Sequence, residues 1–317
     1  MSKTPSKDWR AGAFAQQTVP DGQPKTRNLR GIILMVLAML GFAISDGFVK
    51  ALTEVMPNGQ LLIFFGLTGS TLVAIYAKLR RIPLTGSFLI NPIFVIRWAA
   101  DMFAAICIVG SFALAPLSLV AAILQVSPLF AAALAALLLG ESLGPRRLFA
   151  IAVGLFGVLI ITEPWNAGLE IGALLAAGGA FLLALRDVLT RMAPRDIPSE
   201  ALVAYGISAM AFAGALSWII SPAWAPLELE SVWLLAGGVL TGIAGYTLIT
   251  SASRSAEITA IAPFRYSRLV FALLIGALFF GETLSSWALL GSTLVIGSGL
   301  FVFWREARLA AQTKATP

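Results

Sequence analysis

Apolar stretches of about 20 residues recur along this chain, and short segments containing Pro, Asn or Gly separate them. A helix of that length rises about 30 Å, which matches the hydrocarbon core of a bilayer. The stretches are rich in Leu, Ala, Gly and Phe and do not alternate with polar residues, which favours helices over a membrane β-barrel. The pattern predicts ten transmembrane helices, at residues 31–52, 60–77, 93–112, 117–139, 147–162, 171–190, 201–220, 231–250, 257–280 and 286–304.

Polar and glycine positions repeat along the chain at a constant offset of 141 residues. The pairs that show this offset are Asp46 and Asp187, Lys50 and Arg191, Pro57 and Pro198, and Gly140-Glu141 and Gly281-Glu282. A long-period repeat in an apolar chain indicates two homologous helix bundles. We assign them to residues 31–165 and 166–305, between a flexible polar tail at 1–30 and a short basic tail at 306–317.

Five spans per repeat is an odd number, so the second repeat is predicted to enter the membrane inverted. The predicted fold is therefore an all-α polytopic membrane protein of ten helices in two inverted five-helix repeats. This arrangement is typical of secondary transporters, whose binding site lies between the repeats.

Composition and charge distribution support a membrane location. Hydrophobic residues make up 58% of the 317 and charged residues only 12%, whereas soluble domains carry about 25% charged residues. The net charge of +6 comes from Lys and Arg in the two tails and in alternate loops, such as Lys78, Arg80 and Arg81. The opposite loops carry Glu instead. This bias predicts that both termini are cytoplasmic and explains the basic excess without nucleic acid.

Reactive side chains are scarce, since the chain has no His and one Cys, Cys107. This argues against zinc sites, disulfide frameworks and histidine-dependent nucleophiles. We expect no enzymatic activity, no metal and no cofactor. The expected partners are the lipid bilayer and a small-molecule substrate, with the chain a monomer or a weak homodimer.

Charged residues inside the predicted spans are the main candidates for function, because each costs at least about 2.5 kcal/mol without a partner. Arg265 and Arg268 share a helix face in the ninth span, roughly 12–17 Å from its start. Pro263 removes a backbone hydrogen bond just before them. Arginine donors in a cavity suit a carboxylate, a phosphate or the carbonyls of a planar heterocycle. The alternative is that both arginines pair with aspartates and lock helices together.

Other polar and aromatic residues complete the candidate site. Arg97 and Asp101 form an i,i+4 pair, and Arg186 precedes Asp187. We expect substrate contacts from Arg265, Arg268, Tyr266, Phe264, Asp101, Gln125 and Tyr246, and gate or coupling roles for Asp46, Asp187 and Arg97. Glu141 and Glu282 follow Gly at predicted helix ends, which favours capping or gate closure.

The Gly-Glu pairs after spans four and nine, within two five-helix repeats, resemble the EamA family of the drug/metabolite transporter superfamily over residues 30–305. The segment 262–266 is similar to a bacterial branch of riboflavin and S-adenosylmethionine uptake carriers. The resemblance implies a bacterial inner-membrane carrier without ATP-binding machinery, and the chain has no phosphate-binding loop motif.

The same resemblance leaves several substrates open. Two deep arginines would repel the sulfonium of S-adenosylmethionine, whereas neutral riboflavin offers a flat ring for stacking and carbonyl acceptors. Riboflavin uptake is therefore the favoured expectation. The alternatives are S-adenosylmethionine uptake and export of an amino acid or drug.

Overall fold

A computed structural model describes residues 24–140, 145–162, 170–194, 197–255, 261–283 and 285–315, which form helices joined by loops, without any strand. The α-helices are α1 (Pro24–Val55), α2 (Asn58–Leu79), α3 (Pro92–Leu114), α4 (Leu117–Leu124), α5 (Ser127–Leu139), α6 (Pro145–Thr162), α7 (Ile171–Met192), α8 (Ser199–Ile220), α9 (Leu229–Ser255), α10 (Ser267–Phe279) and α11 (Ser286–Ala315). Two 3-10 helices lie at Ser87–Ile90 and Ala262–Tyr266.

Among the described residues, seven stretches are long and apolar enough to cross a membrane. The stretch Leu117–Leu139, which joins α4 and α5, is one of them. Shorter apolar helices lie at Leu148–Ile161 and Ser286–Val302. The prediction of an all-α polytopic membrane protein is confirmed.

The helices pack in pairs that follow the 141-residue repeat. The most extensive pairs are α1 with α9, α3 with α7, α2 with α8, and α6 with α11. If each helix is replaced by its equivalent in the other repeat, the α1–α9 pair becomes the α3–α7 pair. The α2–α8 pair and the α6–α11 pair are each unchanged, because their two members are equivalent. This exchange is what a two-fold relation between repeats requires. α4 also packs against α10, so the fourth and ninth spans, which are equivalent in the repeat, meet between the halves.

Glycines let the self-equivalent pairs approach closely. A Cβ on Gly214 of α8 would lie 2.5 Å from the Gly59 carbonyl oxygen of α2. A Cβ on Gly291 of α11 would lie 2.5 Å from the Gly157 oxygen of α6. Small residues at such crossings are the usual means of helix association in lipid.

The fourth and ninth spans are interrupted, where the sequence predicts continuous helices at 117–139 and 257–280. The fourth span breaks at Gln125, whose N–H bonds the Ala122 oxygen at 3.2 Å in a tighter turn. Pro128 explains the break, because its ring clashes with the carbonyl four residues back, at Leu124, where α4 ends. The ninth span contains the 3-10 helix Ala262–Tyr266, with a proline in its first turn. This interruption lies at Pro263, the residue expected to remove a backbone hydrogen bond from the ninth span.

Helix continues beyond the outer ends of the first and last predicted spans. α1 begins at Pro24 and α11 ends at Ala315, so helix extends into the segments predicted as tails at 1–30 and 306–317. Lys, Arg, Ala and Leu favour helix and prolong each span beyond its apolar part. Residues 1–23 and 316–317, together with Glu141, lie outside the described residues.

Candidate functional site

Asp46 and Arg268 form a two-point ion pair between α1 and α10. Arg268 Nε donates to Asp46 Oδ2 at 2.9 Å, and Arg268 Nη2 donates to Oδ1 and Oδ2 at 2.8 and 2.7 Å. The guanidinium also lies over the Phe42 ring, 5.5 Å from its centroid. Arg268, predicted to contact substrate, is therefore committed to Asp46 in this conformation.

A second group of charges joins α3 to α7. Arg97 Nη1 lies 3.2 Å from Asp101 Oδ2, and Arg186 Nη1 lies 3.6 Å from Asp101 Oδ1. Arg186 also donates to its neighbour Asp187, with Nη2 at 2.8 Å from Oδ1. The expected Arg97–Asp101 pair is confirmed, and Asp101 lies between two arginines. We refer to Arg97, Asp101, Arg186 and Asp187 as the α3–α7 charge cluster.

The surroundings hold the cluster in place. Arg97 is 7% exposed and donates from Nε to Thr190 Oγ1 at 2.8 Å. It also donates from Nη1 to the Leu202 oxygen at 3.2 Å. Asp101 Oδ2 is buried and receives no well-aligned hydrogen bond from the described part of the chain. Thr190 was not predicted to matter, although its i,i+4 spacing from Arg186 on a polar face was the available sign.

Arg265 differs from the other spanning arginines. Within the described ranges, no hydrogen bond or salt bridge to its guanidinium is found, and the residue is exposed. Its charge acts on the Asp187 carboxylate, which hydrogen-bonds to Arg186. Arg265 and Arg268 thus differ in their partners, since Arg268 is paired with Asp46 and Arg265 is not.

Charge balance identifies Arg265 as the surplus cation. Apart from charges near the span ends, such as Lys50 and Arg191, the described spans contain the four arginines and three aspartates already named. Each of these aspartates pairs with an arginine other than Arg265. One positive charge is left over, at Arg265. An uncompensated arginine in a span favours a ligand that brings negative charge or strong acceptor oxygens.

The remaining predicted residues lie in different surroundings. Tyr266 is partly buried and its hydroxyl lies against Gly299 of α11. Phe264 packs in an apolar cluster with Met35, Ala38 and Met39 of α1. Tyr246 is 38% exposed and interacts electrostatically with Arg97 and Arg186.

Gln125 stands out among the buried polar groups. It lies at the break between α4 and α5, and its Nε2 is buried without a hydrogen-bond partner among the residues that the structure describes. The offset of 141 residues makes Gln125 the equivalent of Tyr266, at the break in the ninth span. An unmatched buried donor costs about 1–3 kcal/mol, so this amide is a candidate for an acceptor supplied from outside the chain.

The sequence profile described as the EamA-like transporter family matches residues 29–163 and 170–304. The two matched segments are separated by the same offset as the internal repeat. This match confirms the resemblance based on the two Gly-Glu pairs. Proteins of this family to which the chain is similar are named as transporters, in agreement with the expectation of a protein that is not an enzyme.

The names of individual relatives state different substrates and, in one case, export. A riboflavin transporter from Rhizobium johnstonii is 31% identical over 201 residues, which cover 63% of this chain and 66% of the relative. The alignment therefore spans just under two thirds of that protein. Pseudopaline exporter CntI from Pseudomonas aeruginosa is 24% identical over 84% of this chain and 93% of its own length. A solved crystal structure with 22% identity covers 86% of this chain and 96% of its own, with a TM-score of 0.58, and supports the fold alone.

Proposed function

Because the chain belongs to the EamA-like transporter family, we propose that it imports riboflavin across the bacterial inner membrane by alternating access. In this proposal ten spans form two inverted repeats, and both termini are cytoplasmic. The two-fold exchange of helix pairs supports the inverted arrangement, since it relates every major packing pair to itself or to another.

The surplus positive charge at Arg265 carries the proposal. Three intramembrane aspartates are already paired, so Arg265 is the arginine whose donors are available to a substrate. It lies in the 3-10 segment of the ninth span, where a broken helix is a common place for a transporter site. A neutral ligand with carbonyl acceptors, or an anion, fits this charge.

Riboflavin matches the available donors and aromatic surface. Its flat ring carries two carbonyl oxygens that can accept from Arg265 and from the Gln125 amide. Tyr246, beside the α3–α7 charge cluster, offers a ring for stacking. The name of the Rhizobium relative supports the same substrate. S-adenosylmethionine fits less well, because its sulfonium would face the surplus positive charge.

Export of an anionic metabolite is the second candidate. The alignment with the pseudopaline exporter covers far more of both chains, although at lower identity. Arg265 would suit a carboxylate as well as a carbonyl. Direction and substrate class therefore have to be tested together.

Uptake in a riboflavin auxotroph separates these candidates. We expect the wild-type chain to restore growth at low external riboflavin and to accumulate labelled riboflavin. Arg265→Ala should abolish both while the protein accumulates normally. Arg80→Ala is the matched control, because Arg80 lies beyond the end of α2 and contacts the Tyr76 ring. Normal accumulation of the wild-type chain without growth rescue would exclude riboflavin import and favour export.

A further inference from the structure

We propose that Glu282 and Lys50 form a clasp on the corner between α3 and α4, and that this clasp opens during the transport cycle. The corner comprises residues 112–118, from the last turn of α3 to the first turn of α4. The proposal rests on the transport function proposed above and assigns a gating role to two side chains that do not contact the substrate.

Glu282 holds the start of α4 from the other repeat. Its Oε1 accepts from the Leu117 N–H at 2.6 Å and its Oε2 accepts from the Ser118 N–H at 2.9 Å. These amides belong to the first turn of α4, where N–H groups have no intrahelical acceptor. A carboxylate at a helix N-terminus is also favoured by the helix dipole. The Pro116 side chain that precedes α4 cannot cap these amides, so the acceptor comes from 164 and 165 residues away.

Lys50 holds the end of α3 from α1. Its Nζ donates to the Phe112 oxygen at 2.8 Å and to the Ala115 oxygen at 3.2 Å. These oxygens are at the C-terminus of α3, where carbonyls lack intrahelical donors and the dipole favours a cation. An anion therefore accepts hydrogen bonds from the start of α4, and a cation donates hydrogen bonds to the end of α3.

The local backbone is shaped to deliver the Glu282 carboxylate. Gly281 has a φ of 61°, a left-handed conformation that turns the chain back after α10. The Glu282 N–H then donates to the Gly276 oxygen at 3.0 Å. A Cβ on Gly276 would lie 2.5 Å from Glu282 Oε2. Glycine at position 276 therefore leaves room for the carboxylate.

The clasp is connected to the Asp46–Arg268 pair. Lys50 lies one helical turn after Asp46 on α1, and Glu282 follows α10, which carries Arg268. The same two segments therefore hold both the corner and the deeper ion pair. Releasing the corner from α1 and α10 would open a route past this pair toward the site between the repeats.

Cysteine labelling tests the clasp without any substrate. Cys107 is the single cysteine, so Cys107→Ala gives a cysteine-free chain, and Ser118→Cys adds a reporter at a position that is 4% exposed. The rate of maleimide labelling is measured in unsealed membrane fragments, which expose both faces. We expect Glu282→Gln and Lys50→Met each to raise the rate about tenfold, because each removes charge-assisted hydrogen bonds. Glu54→Gln is the control, since Glu54 is an exposed carboxylate at the end of α1.

Gly276→Ala should raise the labelling rate as Glu282→Gln does, because the new methyl group displaces the carboxylate. If the Ser118→Cys chain does not accumulate, Ala121→Cys, at 5% exposure, replaces it as the reporter. Unchanged labelling in both Glu282→Gln and Lys50→Met would overturn the clasp. Failure of riboflavin uptake would leave the labelling result intact, so the two proposals fail separately.

Discussion

Arg268 donates from both Nε and Nη2 to Asp46, which lies 222 residues earlier in the chain. The equivalent aspartate in the second repeat, Asp187, is paired differently, with its own neighbour Arg186. The two repeats therefore share an aspartate at this position, but a different arginine pairs with it in each repeat. Because Arg186 already pairs with Asp187, Arg265 has no counter-ion of its own among the described residues.

Removing one member of the Asp46–Arg268 pair should destabilise the fold. Asp46→Asn leaves the Arg268 charge uncompensated in a largely buried position, and we expect a loss of about 3 kcal/mol in unfolding free energy. Asp46→Asn combined with Arg268→Met should recover most of that loss, because no unpaired charge remains. Thermal unfolding in detergent measures both. Equal stability of the single and double variants would show that the ion pair is not the cause.

Thr190 should contribute to the α3–α7 charge cluster through one hydrogen bond. Thr190→Val keeps the side-chain shape but leaves the Arg97 Nε–H without its acceptor. A buried donor without an acceptor costs about 1–3 kcal/mol, which thermal unfolding should register. Thr247→Val is the matched control, because the exposed Thr247 hydroxyl bonds only to its own helix, at the Ile243 oxygen. A loss of the same size in both variants would count against a specific role for Thr190.

Gly299 should be required for the position of Tyr266. A Cβ at Gly299 would overlap the Tyr266 hydroxyl, so Gly299→Ala should cost about 1–3 kcal/mol through overpacking. Adding Tyr266→Leu should restore stability, since the hydroxyl and the far edge of the ring are gone. Unfolding of the single and double variants tests the coupling. A double variant no more stable than Gly299→Ala would place the clash elsewhere.

Gln125 should separate stability from substrate affinity. Gln125→Leu removes a buried donor that has no partner in the described part of the chain, so the fold should be as stable as before or more stable by about 1 kcal/mol. Riboflavin affinity should fall about tenfold if the amide donates to a ring carbonyl. Binding to 2-thioriboflavin or 4-thioriboflavin, whose sulfur is a weak acceptor, provides the comparison. Equal effects of the substitution on riboflavin and on both thio-analogues would rule out a carbonyl contact.

The overall architecture follows from features that act over many residues. Apolar length indicates the spans, and the spacing from Asp46 to Asp187 indicates the repeat, because both depend on bilayer thickness and duplication rather than on individual contacts. The Arg97–Asp101 pair was also predictable, since i,i+4 geometry fixes it within one helix.

Contacts between helices were harder to predict from the sequence than the spans and the repeat. The sequence offers Asp46, Asp101 and Asp187 as possible partners of Arg268. Only the packing of α1 on α10 decides in favour of Asp46. The break at Gln125 was indicated locally by Pro128 but was not predicted. The capping of α4 by Glu282 depends on a turn in the opposite repeat. The Gly-Glu motif indicated a capping role for Glu282 but not which helix it caps.

Equilibrium binding of riboflavin to the purified protein tests the surplus-cation account most directly. Titration of wild type, Arg265→Ala and the control Arg80→Ala in detergent or nanodiscs gives three affinities, with thermal unfolding measured on the same samples. We predict that Arg265→Ala binds riboflavin at least about tenfold more weakly with unchanged unfolding, because a charge-assisted donor is lost from the site and no protein partner is abandoned. Arg80→Ala should match wild type. Wild-type affinity in a folded Arg265→Ala protein, or loss of its fold, would contradict the account.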